Sequence, residues 1–536
     1  MFPLIFYKPY YFLTKHFSRI IIILVGMYVG IHVARLTFCA DSWIQTVAVD
    51  LDDHHFLNNL RLMFDQLMDF RIKGFFYSAY AWGYGTLYWL TAFLVGLPWM
   101  LLNNQFLLIL SERLLSFLPS LGSIYILWSL LSRELRINKA VIFFAAMVVF
   151  LKDIFIFHHS LIHPEGLYIF LIIAAFYCLY RDRGNFSLFY IISAVLFGLA
   201  LSTKLMALPA GIIFIIYLWH YRQQVHLRNI FYGIGAGLIV IGFFNWPLIY
   251  PLIRAHFFKW VFKAGTDRFG YGYSLSFWNN LLCQVRELIN IYPGFLWCLL
   301  STLFYKVIGV LHPNKNNSND GCNDYLLRNL ALGIVGSYAF FLIFILGSVF
   351  FVYGYITYYF LFFLLALILN KIFQEQMILK YKILLGGGIF LLSIISSGIG
   401  GIKALTCPWS IVVNGVFYKD PLNFSEVAQS VVFLDSASRF LAKNELLDKV
   451  VYVSPLAGIE APLFRKRVCF FSPANPEDKV LMEAEVICFR TVGKDGVKGI
   501  YGDFFPPKEI EKAFWLPYFK KIFDDQTFKV YVRKTK

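Results

Sequence analysis

The chain has 536 residues, of which 59% are hydrophobic, 19% aromatic and only 15% charged. Its mean hydropathy of +0.64 is too high for a water-soluble globular protein and points to a multi-spanning membrane protein. The formal charge of +16 does not imply nucleic acid, because Lys and Arg fall in short patches between apolar runs, the distribution that sets membrane topology.

In chain order, Lys8, Lys15 and Arg19 precede an apolar stretch over 20–33 that lacks a small-residue cleavage site. This reads as an uncleaved signal anchor with a cytoplasmic N terminus. An acidic cluster, Asp50, Asp52 and Asp53, follows it. Next, Phe56, Leu60, Met63, Phe64, Leu67 and Phe70 recur at helical spacing, with Asn58, Asn59, Arg61, Asp65 and Asp69 on other faces. The pattern predicts a helix lying on the membrane surface, holding the aspartates at headgroup level. Two roles remain open for them, a general base for a lipid-borne substrate or a simple helix cap in a solvated loop.

Basic or polar loops at 133–139, 181–183, 222–228, 312–328 and 371–382 are expected on the cytoplasmic side. The outer side then receives 41–79, the turns at 163–165, 203–204 and 353–355, the loop 251–277, and everything after about residue 404. At about 20 residues per crossing this predicts about 11 to 13 transmembrane helices. The stretch 84–131 conflicts with that parity: it has the length of two spans but must cross a net single time, so one run is expected to be interfacial or re-entrant.

Three turns carry polar residues that need an explanation. In "HHSLIHPEGLYIFL", Pro164 should start a helix and place Glu165 in its first turn, where the helix dipole favours a carboxylate; His158, His159 and His163 precede it. Helix-end stabilisation alone would account for Glu165, and Asp52, His163 and Glu165 are also candidates for a divalent metal ion. Lys204 lies in a polar break, "LSTKLMALPAG", where an intramembrane charge needs a partner such as a phosphate, unless it snorkels to the interface. The loop "RAHFFKWVFKAGTDRFGYGYS" offers Arg254, Lys259, Lys263 and Arg268 among aromatic residues, suited to a phosphate and a sugar or to a plain aromatic belt.

From Pro408 onward charges, Pro and Gly become frequent and "KVVYVSP" and "VICFR" read as strands, predicting a soluble α/β domain over 405–536 behind a membrane domain over 1–404. The patch "NKNNSNDGCND" at 314–324 reads as a cytoplasmic linker. The eight cysteines show neither metal-ligand spacing nor a disulfide framework.

Taken in order, these segments resemble the GT-C superfamily of integral-membrane glycosyltransferases, nearest to the lipid A aminoarabinose transferases and the protein O-mannosyltransferase-like enzymes. "DLDDHHFLNNL" is similar to the acidic pair of the family's first outer loop, with Asp52 and Asp53 as the pair. "YGYGTLYWL", "LIHPEGLYIFL", "STKLMALPAG" and "YGYITYYFLFFLLALIL" resemble its second helix, its polar residue and Pro turn, its Thr-Lys turn and a late helix. Two positions depart from the aminoarabinose transferases. Their Glu-Lys pair before the second helix is replaced by the uncharged "SAYAWGYG", and their turn Asp by His163 with Glu165 beyond Pro164.

The resemblance implies a mainly α, polytopic GT-C fold and inverting transfer of a sugar from a polyprenyl-phosphate donor to a lipid, glycan or protein acceptor, at the outer face of a bacterial inner membrane. It makes Asp52, with Asp53 beside it, the general base, and Lys204, Arg268 and Lys263 the donor-phosphate ligands. Tyr84, His163 and Glu165 would line the pocket. Membrane lipids and the donor are the expected partners, with no nucleic acid. A transporter or flippase of lipid-linked sugars, or an inactive homologue, would use the same charges differently; the lack of visible internal repeats speaks against a transporter.

Overall fold

The computed structural model describes residues 51–80, 84–150, 162–255, 257–258, 322–341 and 355–374, positions 26 and 30, and short pieces after residue 439 (440, 443–446, 451–453, 485–490, 516–524 and 528–534). The expectations for Asp50, Lys263 and Arg268, for the N-terminal anchor and for the 314–321 part of the linker lie outside these residues.

The first described helix, α1 (Leu51–Met68), forms where the apolar periodicity predicts one. Phe56, Leu57, Leu60 and Met63 are buried along one face, as the 3.6-residue repeat requires. Two details differ from the sequence reading. Leu57 joins the buried face, and Phe70 falls beyond the helix in a left-handed conformation (φ 56°), 88% exposed, because the chain reverses there. The short α2 (Ile72–Ser78) folds back on α1, held by Asn59 donating to the Ser78 carbonyl at 3.0 Å and Ser78 donating to Gln66 at 2.9 Å.

A hairpin follows: α3 (Thr86–Leu101), a turn through Asn103, and α4 (Gln105–Ser129), whose N terminus is capped by the Asn104 side chain accepting from Leu107 N–H at 3.0 Å. A single π turn (Leu130–Glu134) extends α4. Among the described residues, two helices are long and apolar enough to cross a membrane unaided, Phe106–Glu134 and Leu227–Ile249. Other apolar helices among the described residues, such as Thr86–Leu101 and Leu188–Thr203, are shorter than the roughly 20 residues expected per crossing.

The remaining helices are α5 (Lys139–Phe150), α6 (Glu165–Asp182), α7 (Leu188–Thr203), a 3-10 segment (Leu205–Gly211), α8 (Ile212–His220), α9 (Leu227–Asn245), α10 (Cys322–Phe340) and α11 (Tyr355–Gln374). The second half of α4 runs parallel to α6: Ser116 touches His163 at one end, and Glu134 accepts from Arg181 at 2.8 Å at the other. Tyr84 and Ser116 both stand at the Glu165 end, so residues 84–116 form a hairpin that doubles back on itself.

Two large apolar clusters, with a small one of Tyr80, Ile253 and Phe257, form the core among the described residues. One joins α1, α2, α3, the start of α4 and Ile162; the larger joins the end of α4 with α5, α6, α7, the 3-10 segment, α8, α10 and α11. Leu167, two residues after Glu165, packs against both. The candidate site therefore sits where the two cores meet.

At the far end of α6, the turn into α7 is knotted around Asp182, which is 1% exposed. Its carboxylate accepts from Phe186 N–H (2.8 Å), Ser187 N–H (2.7 Å), the Ser187 hydroxyl (2.5 Å) and the Tyr217 hydroxyl, while Tyr217 accepts from Gly184 N–H at 2.7 Å. The knot satisfies donors that apolar surroundings would leave stranded. Asp182→Asn turns an amide N–H₂ toward these donors and is expected to cost about 2–3 kcal/mol, read as unfolding in detergent. Activity per folded molecule should persist, because the α6 rise of about 1.5 Å per residue leaves roughly 26 Å between this knot and Glu165.

In the C-terminal part, four strands form one mixed sheet in the order β1-β2-β4-β3. The two segments expected as strands, β1 (Val451–Val453) and β2 (Val486–Arg490), pair in parallel; β4 (Phe528–Arg533) lies antiparallel to β2 and to β3 (Phe519–Asp524). A parallel pair needs a crossover connection, as an α/β unit does.

Candidate functional site

The site is assembled from four chain breaks, each where regular structure stops. Pro164 has no N–H and caps α6, so Glu165 opens the helix, as the sequence predicts. The preceding non-helical piece, Ile162–His163, cannot join the helix ladder, and the Ser116 side chain satisfies the His163 backbone. Ser116 of α4 accepts from His163 N–H at 3.0 Å and donates to the His163 carbonyl at 2.8 Å. Gly166 lets α4 approach: a Cβ there would lie 2.1 Å from the Ser116 carbonyl oxygen.

The third break is Lys204, extended (φ −157°, ψ 130°) between α7 and the 3-10 segment. It forms an isolated antiparallel bridge with Tyr84, the fourth break, and Gly85 N–H donates to the Thr203 carbonyl at 2.9 Å. The backbones can close this far because residue 85 has no side chain. A Cβ at Gly85 would sit 2.0 Å from the Ser202 carbonyl oxygen. Gly85→Ala is therefore expected to cost about 1–3 kcal/mol of stability and to push Tyr84 off Lys204, with turnover falling at least as steeply as the folded fraction.

These breaks bring three ionisable groups together. Lys204 (4% exposed) pairs with Glu165 Oε1, and His163 Nδ1 lies 2.7 Å from Glu165 Oε2. Glu165 is 2% exposed and His163 6%. Lys204 Nζ also stands 4.8 Å from the centre of the Tyr84 ring, a cation–π contact. Phe56 of α1 stacks on Tyr84 at 5.3 Å and on Trp89 at 5.1 Å, and lies 5.3 Å from the His163 ring. A buried charge this apolar setting would otherwise expel is kept by its opposite charge and by ring faces.

Nearby, Tyr80 donates to Asn245 Oδ1 at 3.5 Å, and Asn245 donates to the Ser202 hydroxyl at 3.0 Å, tying α9 to the Lys204 turn. Burial pushes the Tyr80 phenol up to about 12, so it acts as a hydrogen-bond donor rather than a base.

Four of the sequence-derived residues, Tyr84, His163, Glu165 and Lys204, thus meet in one place. Lys204 does not snorkel; its partner is Glu165, an alternative the sequence reading did not weigh. The two charges have opposite signs at turns assigned to the same face, and that was the available signal. Phe56, Ser116 and Gly85 were not among the site candidates; a Ser on an apolar helix face and a Gly at a helix start are too common to mark a site. Asp52 and Asp53 lie in the first turn of α1. Arg268 and Lys263 lie outside the described residues. No group of three or more His, Cys, Asp and Glu suited to a metal ion occurs among the described residues, and a cation at Glu165 would have to displace His163 or Lys204.

Residues 109–249 match the family model of dolichyl-phosphate-mannose-protein mannosyltransferases. No curated protein matches the chain. Among solved structures it is similar to ArnT from Cupriavidus metallidurans bound to undecaprenyl phosphate, with a TM-score of 0.54 at 9% identity, over 96% of this chain and 98% of that one. The apo state of the same protein gives 0.51 at 10% identity, over 95% and 97%. At such identity the likeness is one of fold, and it extends over nearly the full length of both chains.

Proposed function

From a chain with the fold of the GT-C superfamily of membrane glycosyltransferases, we propose inverting sugar transfer from a polyprenyl-phosphate donor to a lipid, glycan or protein acceptor, at the outer face of a bacterial inner membrane. The observation that carries this reading is the buried Lys204–Glu165–His163 cluster at the meeting point of the two cores. Glu165 fixes the position of the Lys204 ammonium, and on this reading that oriented cation is the one that meets the donor phosphate. The solved structure of similar fold is of a protein bound to undecaprenyl phosphate, which fits a lipid phosphate as the anion that Lys204 meets.

The chemistry follows from charge flow. An acceptor oxygen attacks the anomeric carbon while Asp52 takes its proton, with Asp53 beside it. The bond from that carbon to the phosphate oxygen breaks, and the polyprenyl phosphate leaves with the electron pair. Negative charge grows on the leaving phosphate, and Lys204, with Arg268 and Lys263, stabilises it. Glu165 and His163 orient Lys204. In favour of Asp52 over Asp53, residue 52 precedes Phe56 by four positions in α1, one turn away on the same helical face as the ring that stacks on Tyr84. The membrane domain over 1–404, with about 11 to 13 spans, would hold the reaction. The domain over 405–536 would stand in the periplasm and contribute to acceptor choice.

The test supplies purified full-length protein with a panel of polyprenyl-phosphate sugars and bacterial envelope extracts, and reads products by mass spectrometry. The expected result is a hexose or pentose mass on an acceptor with stoichiometric release of polyprenyl phosphate. No transfer from any donor, together with movement of those lipids across proteoliposomes, would replace this reading with a flippase.

A further inference from the structure

A cavity of about 720 Å³ opens at the end of α8 remote from Lys204, lined there by Trp219, His220, Arg222, Gln223 and Gln224 and across from them by Asn329 of α10. A second, almost wholly apolar groove of about 460 Å³ continues along the same pair of elements, between Leu208, Pro209 and Ile212 on one wall and Gly333, Gly336 and Phe340 on the other. The two are consecutive on α10, because Asn329 and Gly333 are one helical turn apart. Gly336 leaves its part of the groove open, since a Cβ there would meet nothing within 4 Å. Ile215, Trp219 and Leu332 on the rim are 64%, 71% and 50% exposed, the exposure of a surface that faces acyl chains rather than water.

We propose that this seam is a binding site for an anionic diacyl phospholipid of the phosphatidylglycerol class, its phosphodiester in the polar cavity and one acyl chain in the groove. The polar lining offers a guanidinium, three amides, an imidazole, an indole and a phenol, and no carboxylate. That set suits a phosphate with a net negative charge, and it has no carboxylate to pair with the ammonium of a zwitterionic headgroup. Arg222 lies over the Trp219 ring at 5.0 Å, which holds the cation at the depth where an indole meets headgroups. Basic pockets between membrane helices select anionic lipids in this way. Occupancy would also brace the site's frame: the groove wall Leu208–Ile212 continues from Lys204, and Tyr338 of α10 donates to the Met206 carbonyl at 2.6 Å.

The test is native mass spectrometry of the full-length protein in neutral detergent, titrated separately with phosphatidylglycerol, phosphatidylcholine and undecaprenyl phosphate. One cation near the headgroup is worth ~1 kcal/mol, so phosphatidylglycerol should bind about fivefold more tightly than phosphatidylcholine. Arg222→Glu and Asn329→Asp, which place a carboxylate on opposite walls, should each remove that preference while leaving phosphatidylcholine binding unchanged. Equal binding of the two phospholipids by the unaltered protein would overturn the proposal. So would full retention of the preference by either variant, or one-for-one displacement of phosphatidylglycerol by undecaprenyl phosphate.

Discussion

Lys204→Met is expected to slow sugar transfer by about two to three orders of magnitude and to destabilise the protein, and the two losses have separate causes. Removing the ammonium leaves the Glu165 carboxylate, 2% exposed, without its cation, a change that costs about 3–5 kcal/mol for a buried pair. On the proposed mechanism, transfer loses the group that would neutralise the departing phosphate, for which about 10²–10³ in kcat is the ordinary scale. The double variant Lys204→Met/Glu165→Gln separates them, because it removes the stranded charge without restoring the cation. Thermal unfolding in detergent should recover most of the stability in the double variant, while turnover stays at the level of the single one. Wild-type turnover by the double variant would mean that Lys204 serves only to neutralise Glu165, and the phosphate role would be lost.

Asp52→Asn should lower kcat by roughly 10²–10⁴, the range for removing a positioned general base, with the donor KM nearly unchanged. The isosteric amide keeps a hydrogen-bonding group at the first turn of α1, so the folded fraction should not move. Asp53→Asn is the internal comparison, expected to reduce kcat less than tenfold. If Asp53→Asn proves the more damaging, the base is residue 53 and the facial argument from Phe56 is wrong. Comparable, small effects of both would return the pair to a helix-capping role.

Local rules account for much of what the sequence made legible. Pro164 cannot lie inside a helix, so Glu165 had to open one, and it does. The spacing of Phe56, Leu60 and Met63 required a one-sided helix, and those residues are its buried face. The run of Val and Ile around 451 and 486 required strands, which pair with each other. Phe70 failed as a member of the α1 face because periodicity continues on paper past the point where the chain turns. Between Tyr84 and Leu131 hydropathy registers two apolar runs but not whether the first returns, so the sequence left open which of the two is the irregular one.

The sequence by itself determined the solvent of this chain, the helix start at Glu165, and the identity of the charges left at that turn and at the turn of Lys204. All follow from interactions within a few residues, or from composition. Only the tertiary structure decided which ends meet. Glu165 and Lys204 are 39 residues apart, and Tyr84 reaches Lys204 from another helix altogether. Their meeting depends on helix rotation and depth, and these are set by close approaches such as Gly166 on the Ser116 carbonyl and Gly85 on that of Ser202. An apolar run carries almost no record of such contacts, because any rotation of it looks equally apolar. The pairing also has a physical consequence that the sequence could not supply: two charges that would each be costly alone become a stable, buried, oriented pair.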